Sequence, residues 1–151
     1  DNSSFVISGI ELKNRSWSDT TGLIQGVTTT TSRNEAKKDF NGFQNTQSIA
    51  EYTHASAAYE CTVTQFKNGQ MGYLASVGEW MEIINNLDEI NRCMSLIDGL
   101  DIDEGTTSYW TSTQYNSEKA WLMTYNGNEF YPNDERKGVS FYAIRVISQL
   151  R

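Results

Sequence analysis

The chain has 151 residues, 38% of them hydrophobic, which suits one compact domain with a sizeable core spanning residues 1–151. Nineteen acidic against twelve basic side chains give a formal charge of -7 and a pI near 4.6, so its field repels phosphate backbones and argues against a nucleic-acid partner. No apolar run is long enough for a membrane span and no basic, apolar leader opens the chain, so neither membrane insertion nor a signal peptide is expected. The absent initiator Met suggests a mature form or an excised domain, read here as the C-terminal domain of a longer protein.

The opening FVISGIEL predicts a strand with a break at Gly9, and the Ser-, Thr- and Gly-rich stretch from Asn14 to Thr31 predicts irregular structure pinned by Trp17. Asn45 and Thr46 read as caps of a short helix through Ile49 to Tyr52. A second short helix, in ASAAYECTVTQF, is expected to end at Lys67-Asn68-Gly69. Ser76 and Glu79 have capping-box spacing and predict a helix from Val77, followed after Asn85-Asn86 by a second one carrying Leu87, Ile90, Met94 and Ile97 and stopping at Asp98-Gly99. Past Gly105 the period becomes alternating: Trp121, Met123 and Tyr125 oppose Leu122, Thr124 and Asn126, and Asn126-Gly127 signals a hairpin. The last run, Phe141 to Leu150, predicts a largely buried strand. Helices in the middle and strands at the end define an α+β fold, with short helices on a small, mostly antiparallel sheet.

Residues that carry chemistry are scarce. His54 is the only histidine and sits near a helix start, where a capping or surface role is expected. Cys61 and Cys93 are too few for a disulfide scaffold and fit no metal spacing, so both read as small buried thiols in helices. The acidic stretch Asp98 to Gly105 is the best cation candidate, but it misses the EF-hand pattern and reads as a solvated loop. No cofactor is expected. The richest signal is local: nine of the eighteen aromatics lie between Thr106 and Tyr142, mixed with Asn, Ser, Thr and Gly as in a paratope. Strand propensity explains Trp110, Trp121, Tyr125 and Ile144 as the inward set. It leaves the outward set, including Phe130, Tyr131 and Phe141, as exposed aromatics that need a reason.

Gly72-Tyr73-Leu74-Ala75-Ser76-Val77-Gly78-Glu79-Trp80 resembles a GYLxSxGEW signature, and Tyr109-Trp110-Thr111-Ser112-Thr113-Gln114-Tyr115 followed by Ala120-Trp121 resembles a YWSSTxY…AW signature. With the opening Asp1 to Ile7, the stretch Val27 to Thr31, the Asn41-Gly42…Asn45-Thr46 region and the ending Ile144-Arg145-Val146, the chain resembles C-type-lectin-like domains of gut Bacteroides and their phages, related to the fold of formylglycine-generating enzyme. Several members are variable proteins of diversity-generating retroelements, among them receptor-binding proteins of phage tail tips and bacterial adhesins. The resemblance implies adjacent N- and C-terminal strands, an extracellular location and a ligand face made by Tyr115, Asn116, Lys119, Leu122, Thr124, Asn126, Asn128, Phe130, Tyr131, Asn133, Asp134, Arg136, Val139 and Phe141. The sugar-binding calcium motifs of such lectins are approached only at Tyr131-Pro132-Asn133-Asp134, with Tyr where the acid belongs. The oxidase cysteines have no counterpart in the C-terminal part.

The expectation is therefore a non-enzymatic domain that binds a cell-surface protein or glycan receptor, trimeric if it belongs to a fibre. The rivals are a ligand-free structural module of a fibre or surface protein, and a hydrolase using carboxylates such as Glu79 or Asp134.

Overall fold

A computed structural model describes residues 5–67, 69–102 and 108–149. The strands are β1 (Phe5–Arg15), β2 (Gly72–Leu74), β3 (Ser108–Gln114), β4 (Lys119–Tyr125), β5 (Phe130–Arg136) and β6 (Tyr142–Gln149). The helices are α1 (Arg33–Ala36), α2 (Gly42–Tyr52), α3 (Ala57–Thr62), α4 (Val77–Asn85) and α5 (Leu87–Leu96). The sheet runs β1-β6-β3-β4-β5, with β2 also on β6, and every pairing is antiparallel except the short β3–β6 contact. The α+β class and the adjacency of the first and last strands are as expected.

β1 is one strand, but its register with β6 shifts between Ile7 and Glu11, where Gly9 was expected to break it. The β4–β5 hairpin turns through Asn126 to Glu129. Asn126 Oδ1 accepts from the amides of Asn128 and Glu129, and Gly127 takes a φ of +100°, which a side chain at that position would resist.

The main correction concerns the faces of the strands. Alternation divides the strands not into core and solvent but into two cores. Trp110, Ala120, Leu122, Ile144 and Val146 pack with Trp17, Ile49 of α2 and Ala57, Ala58 and Cys61 of α3. Tyr109, Trp121, Met123, Phe130, Ala143 and Ile147 pack with Val77, Trp80 and Ile83 of α4. Leu122 is 1% exposed and Phe130 6%, so neither is the outward contact expected of it, and Trp110 and Trp121 serve opposite cores. Helices and loops cover both faces of the central strands, whereas an alternating pattern in an antiparallel sheet suggests one wet face.

Smaller corrections follow from tertiary hydrogen bonds. Asn45 and Thr46 lie inside α2, not at its start, buried because Asn45 Nδ2 donates to Asp39 and Thr46 Oγ1 accepts from the Leu74 amide. α3 stops at Thr62, and Gly69 belongs to the turn between the bridged Gln65 and Met71. α5 stops at Leu96, two residues before the expected Asp98. Cys61 is buried and its thiol is pushed up by burial, while Cys93 is exposed, because α5 shows that face to solvent.

The Ser76 capping box forms as expected: Ser76 Oγ accepts from the Glu79 amide and Glu79 Oε1 accepts from the Ser76 amide at 2.9 Å. α2 approaches so closely that a Cβ on Gly42 would lie 2.0 Å from Glu79 Oε1, which is why glycine opens that helix. Asp39, also buried, accepts from Thr28, Asn41, Asn45 and Thr113. Arg145, fully buried, pairs with Glu11 at 3.0 Å and donates to the carbonyls of Ser8, Leu100 and Asp101, fastening the segment after α5 to β1.

The irregular segment from Trp17 to Thr30 is tied down by indole and amide groups. Trp17 Nε1 donates to Thr111 O at 2.7 Å, Trp110 Nε1 to Arg15 O at 2.8 Å and Trp121 Nε1 to Thr30 O at 2.8 Å. Gln114 exchanges bonds with both backbone groups of Ile24. Lys137, fully buried, donates from Nζ to Gly22 O at 2.8 Å and Gln114 Oε1 at 2.6 Å, with Nζ 4.8 Å from the centre of the Trp17 ring.

Two pH dependences follow. Burial pushes the Glu79 carboxyl up to about 7, opposed by the hydrogen bonds from Ser76 and reinforced by the Asp39 carboxylate. Between pH 4.5 and 7 the folded state then holds a proton that the unfolded state has released, so stability falls as pH rises through that window. Glu79→Gln keeps an acceptor for the Ser76 amide, and urea unfolding of this variant at several pH values should lose that slope.

Burial pushes Lys137 down to about 8. From there to pH 10.5 the unfolded state holds the extra proton and stability rises, by on the order of 3 kcal/mol. Lys137→Met should abolish that rise. Phe130→Ala, which empties a core position, should cost about 3–5 kcal/mol in the same assay.

Candidate recognition surface

The hairpin strands β4 and β5 each hold seven residues, so their two ends lie about 20 Å apart at about 3.3 Å per residue. The residues expected to form one ligand face divide between those ends. Tyr115, Asn116, Lys119, Asp134, Arg136 and Val139 gather where β3 turns into β4 and β5 ends, whereas Phe141 directly precedes β6, whose Ala143 pairs with Tyr109 near the other end of β3. Thr124, Asn126, Asn128, Phe130 and Tyr131 gather at the hairpin tip, with Asn133 between the two groups. Leu122 lies under neither surface, packed against Trp110 in the core.

At the first end Lys119 forms an ion pair with Asp134 at 3.0 Å, and its Nζ lies 5.8 Å from the centre of the Tyr115 ring, which itself meets Trp121 edge-on. The hydrogen bond to Asp134 raises the lysine above its ordinary value. Asn116 Oδ1 accepts from the Glu118 and Lys119 amides and so shapes the β3–β4 turn.

Beside this turn opens a cleft of about 450 Å3, lined by Asp19, Thr20, Thr21, Glu118, Arg136 and Val139 with Lys137 at its base. Glu118 and Arg136 are exposed and make no ion pair among the described residues. Val139 and Phe141 are 69% and 59% exposed on the connection from β5 to β6. The cleft thus offers hydroxyls, both charge signs and an apolar margin, a mixture suited to orienting a polar ligand.

The sequence reading missed Asp19, Thr20, Thr21, Glu118 and Lys137. The first three come from a segment far away in the chain, brought there by the Lys137 and Gln114 tethers. A lysine at the end of an alternating strand carries no mark of burial.

The second end is less free than its composition suggests. Asn126 is committed to the turn, Thr124 Oγ1 lies 3.3 Å from Ser108 Oγ, and the Tyr131 ring lies beneath Arg33, which also donates to Pro132 O. Phe130 is the floor of a separate hollow beside α5.

Other candidate chemistry lies elsewhere. Exposed His54 stacks on Tyr59 with ring centroids 4.2 Å apart. Asp103, Glu104 and Gly105 of the acidic stretch lie outside the described residues, and among those described no group of three or more His, Cys, Asp or Glu could hold a metal ion. No described helix is long and apolar enough to cross a membrane.

No family model matches the sequence, and no curated protein is similar to it. Among solved structures, the chain is similar to a fimbrial protein from Bacteroides ovatus with a TM-score of 0.69 and 16% identity. That likeness covers 97% of this chain and 36% of the other, so the chain spans about a third of the length of the protein it matches, and at this identity the likeness is one of fold.

Proposed function

We propose that the chain is a non-enzymatic recognition domain displayed outside the cell, on a bacterial surface or a virion tail tip, which binds a cell-surface protein or glycan through the cleft end of the β4–β5 hairpin. The observation that carries this reading is the exposed apolar Val139 in one cleft with Arg136 and Glu118, which make no ion pair among the described residues, all mounted on a buried base. Large apolar groups left in water next to unsatisfied charges are the makings of a contact surface. The fimbrial neighbour is compatible with adhesion.

In this reading the domain is C-type-lectin-like. Asn116, Lys119, Arg136, Val139 and Phe141 are then positions a diversity-generating retroelement could rewrite, since their exposed ends are not part of either core. Sibling sequences differing at those positions would support the retroelement reading, and siblings differing elsewhere would remove it.

A second reading, a structural subunit of a fibre, draws on the same neighbour and assigns Val139 and Phe141 to a contact between copies, as in a trimer. A hydrolase gains no support from the carboxylates first considered: Glu79 caps α4 and Asp134 pairs with Lys119.

An array of glycans and target cells, probed with the wild type and with an Arg136→Glu/Val139→Ser variant, separates these readings. Recognition by the cleft end predicts binding lowered by about 30-fold or more at an unchanged melting temperature, since a true hot spot is worth about 2 kcal/mol. Binding unchanged by the double substitution places recognition elsewhere. A mass in solution that falls from trimer to monomer in the variant supports the fibre subunit instead.

A further inference from the structure

The tip of the β4–β5 hairpin carries a surface of different chemistry. Between α4, α5 and the hairpin lies a hollow of about 390 Å3. Its floor is Phe130 and Ile102, both buried, and its walls include the half-buried Ile84, Leu87 and Tyr125. Asp88, in the first turn of α5, and Glu129, in the hairpin turn, stand on its rim, both exposed. Neither carboxylate makes a side-chain hydrogen bond or an ion pair among the described residues, although the neighbouring Glu89 is paired with Arg92. Among the described residues no basic side chain lines the hollow.

An apolar floor alone would accept many partners, but the rim selects among them. An apolar side chain entering the hollow partly desolvates Asp88 and Glu129, which is unfavourable unless a cation arrives with it. A Lys or Arg beside the entering side chain would meet one or both carboxylates at the margin of a low-dielectric surface, where attraction exceeds that in open water. An acidic neighbour would add repulsion in a molecule already carrying -7.

We propose that this hollow is a docking site for a segment of a partner protein that presents a large aliphatic side chain next to Lys or Arg. It lies at the opposite end of the hairpin from the Arg136 cleft and does not depend on the recognition role given to that cleft.

The test is an amide-resolved NMR titration of the labelled domain with the capped peptide Leu-Arg-Leu, set against Leu-Glu-Leu and Gly-Arg-Gly. The expected result is saturable shifts at Asp88, Asn91, Asn128 and Glu129 with Leu-Arg-Leu, weakened about tenfold or more when either the arginine or the leucines are replaced, and weakened by added salt. Asp88→Lys/Glu129→Lys, at two exposed positions, should lose the binding by a similar factor while its spectrum stays folded. Equal shifts from the glutamate peptide, shifts that persist in the double variant, shifts confined to the Arg136 end, or no saturation at millimolar peptide would each overturn the proposal.

Discussion

Fourteen residues without regular structure, Trp17 to Thr30, are held against the sheet by the indole N–H groups of Trp17 and Trp121, by Gln114 and by the ammonium of Lys137. The rest of the molecule depends on this attachment. It covers one face of β3 and β4, it fills the first core with Trp17, Ile24 and Val27, and it brings Asp19, Thr20 and Thr21 to the cleft. A buried lysine whose acceptors among the described residues are a carbonyl and an amide is a costly fastener, and it is tolerated because the Trp17 ring supplies a polarisable face in place of water.

Two short stretches, from Gly72 to Trp80 and from Tyr109 to Tyr115, do most of the scaffold's specification. In the first, Ser76 and Glu79 start α4 while Trp80 enters the second core. In the second, Tyr109 and Trp110 point into opposite cores, and Thr111 and Thr113 donate to Trp121 O and Asp39. Apart from the half-buried Tyr115, both stretches are spent on the interior. They report a way of folding, and a ligand must be read from other residues.

This separates what could be read in the sequence from what could not. The helix at Val77, the hairpin at Asn126-Gly127 and the buried last strand are local features, fixed by a capping box, a turn dipeptide and alternation, and each formed where expected. The sides of the sheet were not legible, because period two states that neighbours face opposite ways and is silent on whether the second side meets water or another layer. Leu122 and Phe130 were misplaced for that reason. The candidate surface was half legible: Arg136, Val139 and Phe141 reach solvent as expected, while Asn116 and Asn126 spend their side-chain oxygens on turns. Asp19 and Glu118, 99 positions apart, had nothing in the sequence to join them.

The place of β6 in the sheet has a kinetic meaning. β6 lies beside β1, β2 and β3 at once, yet it is the last described strand to leave the ribosome. Until it arrives, β1 has no partner and β2 has no ladder, while the β3–β4–β5 meander and the helices can form from local contacts alone. Closing the sheet links Phe5 with Gln149, a contact of very high order, so acquisition of the native state is expected to be slow and to await synthesis of β6. During that wait the long β1 is an unpaired edge, and a domain of this design is best served by a holding chaperone.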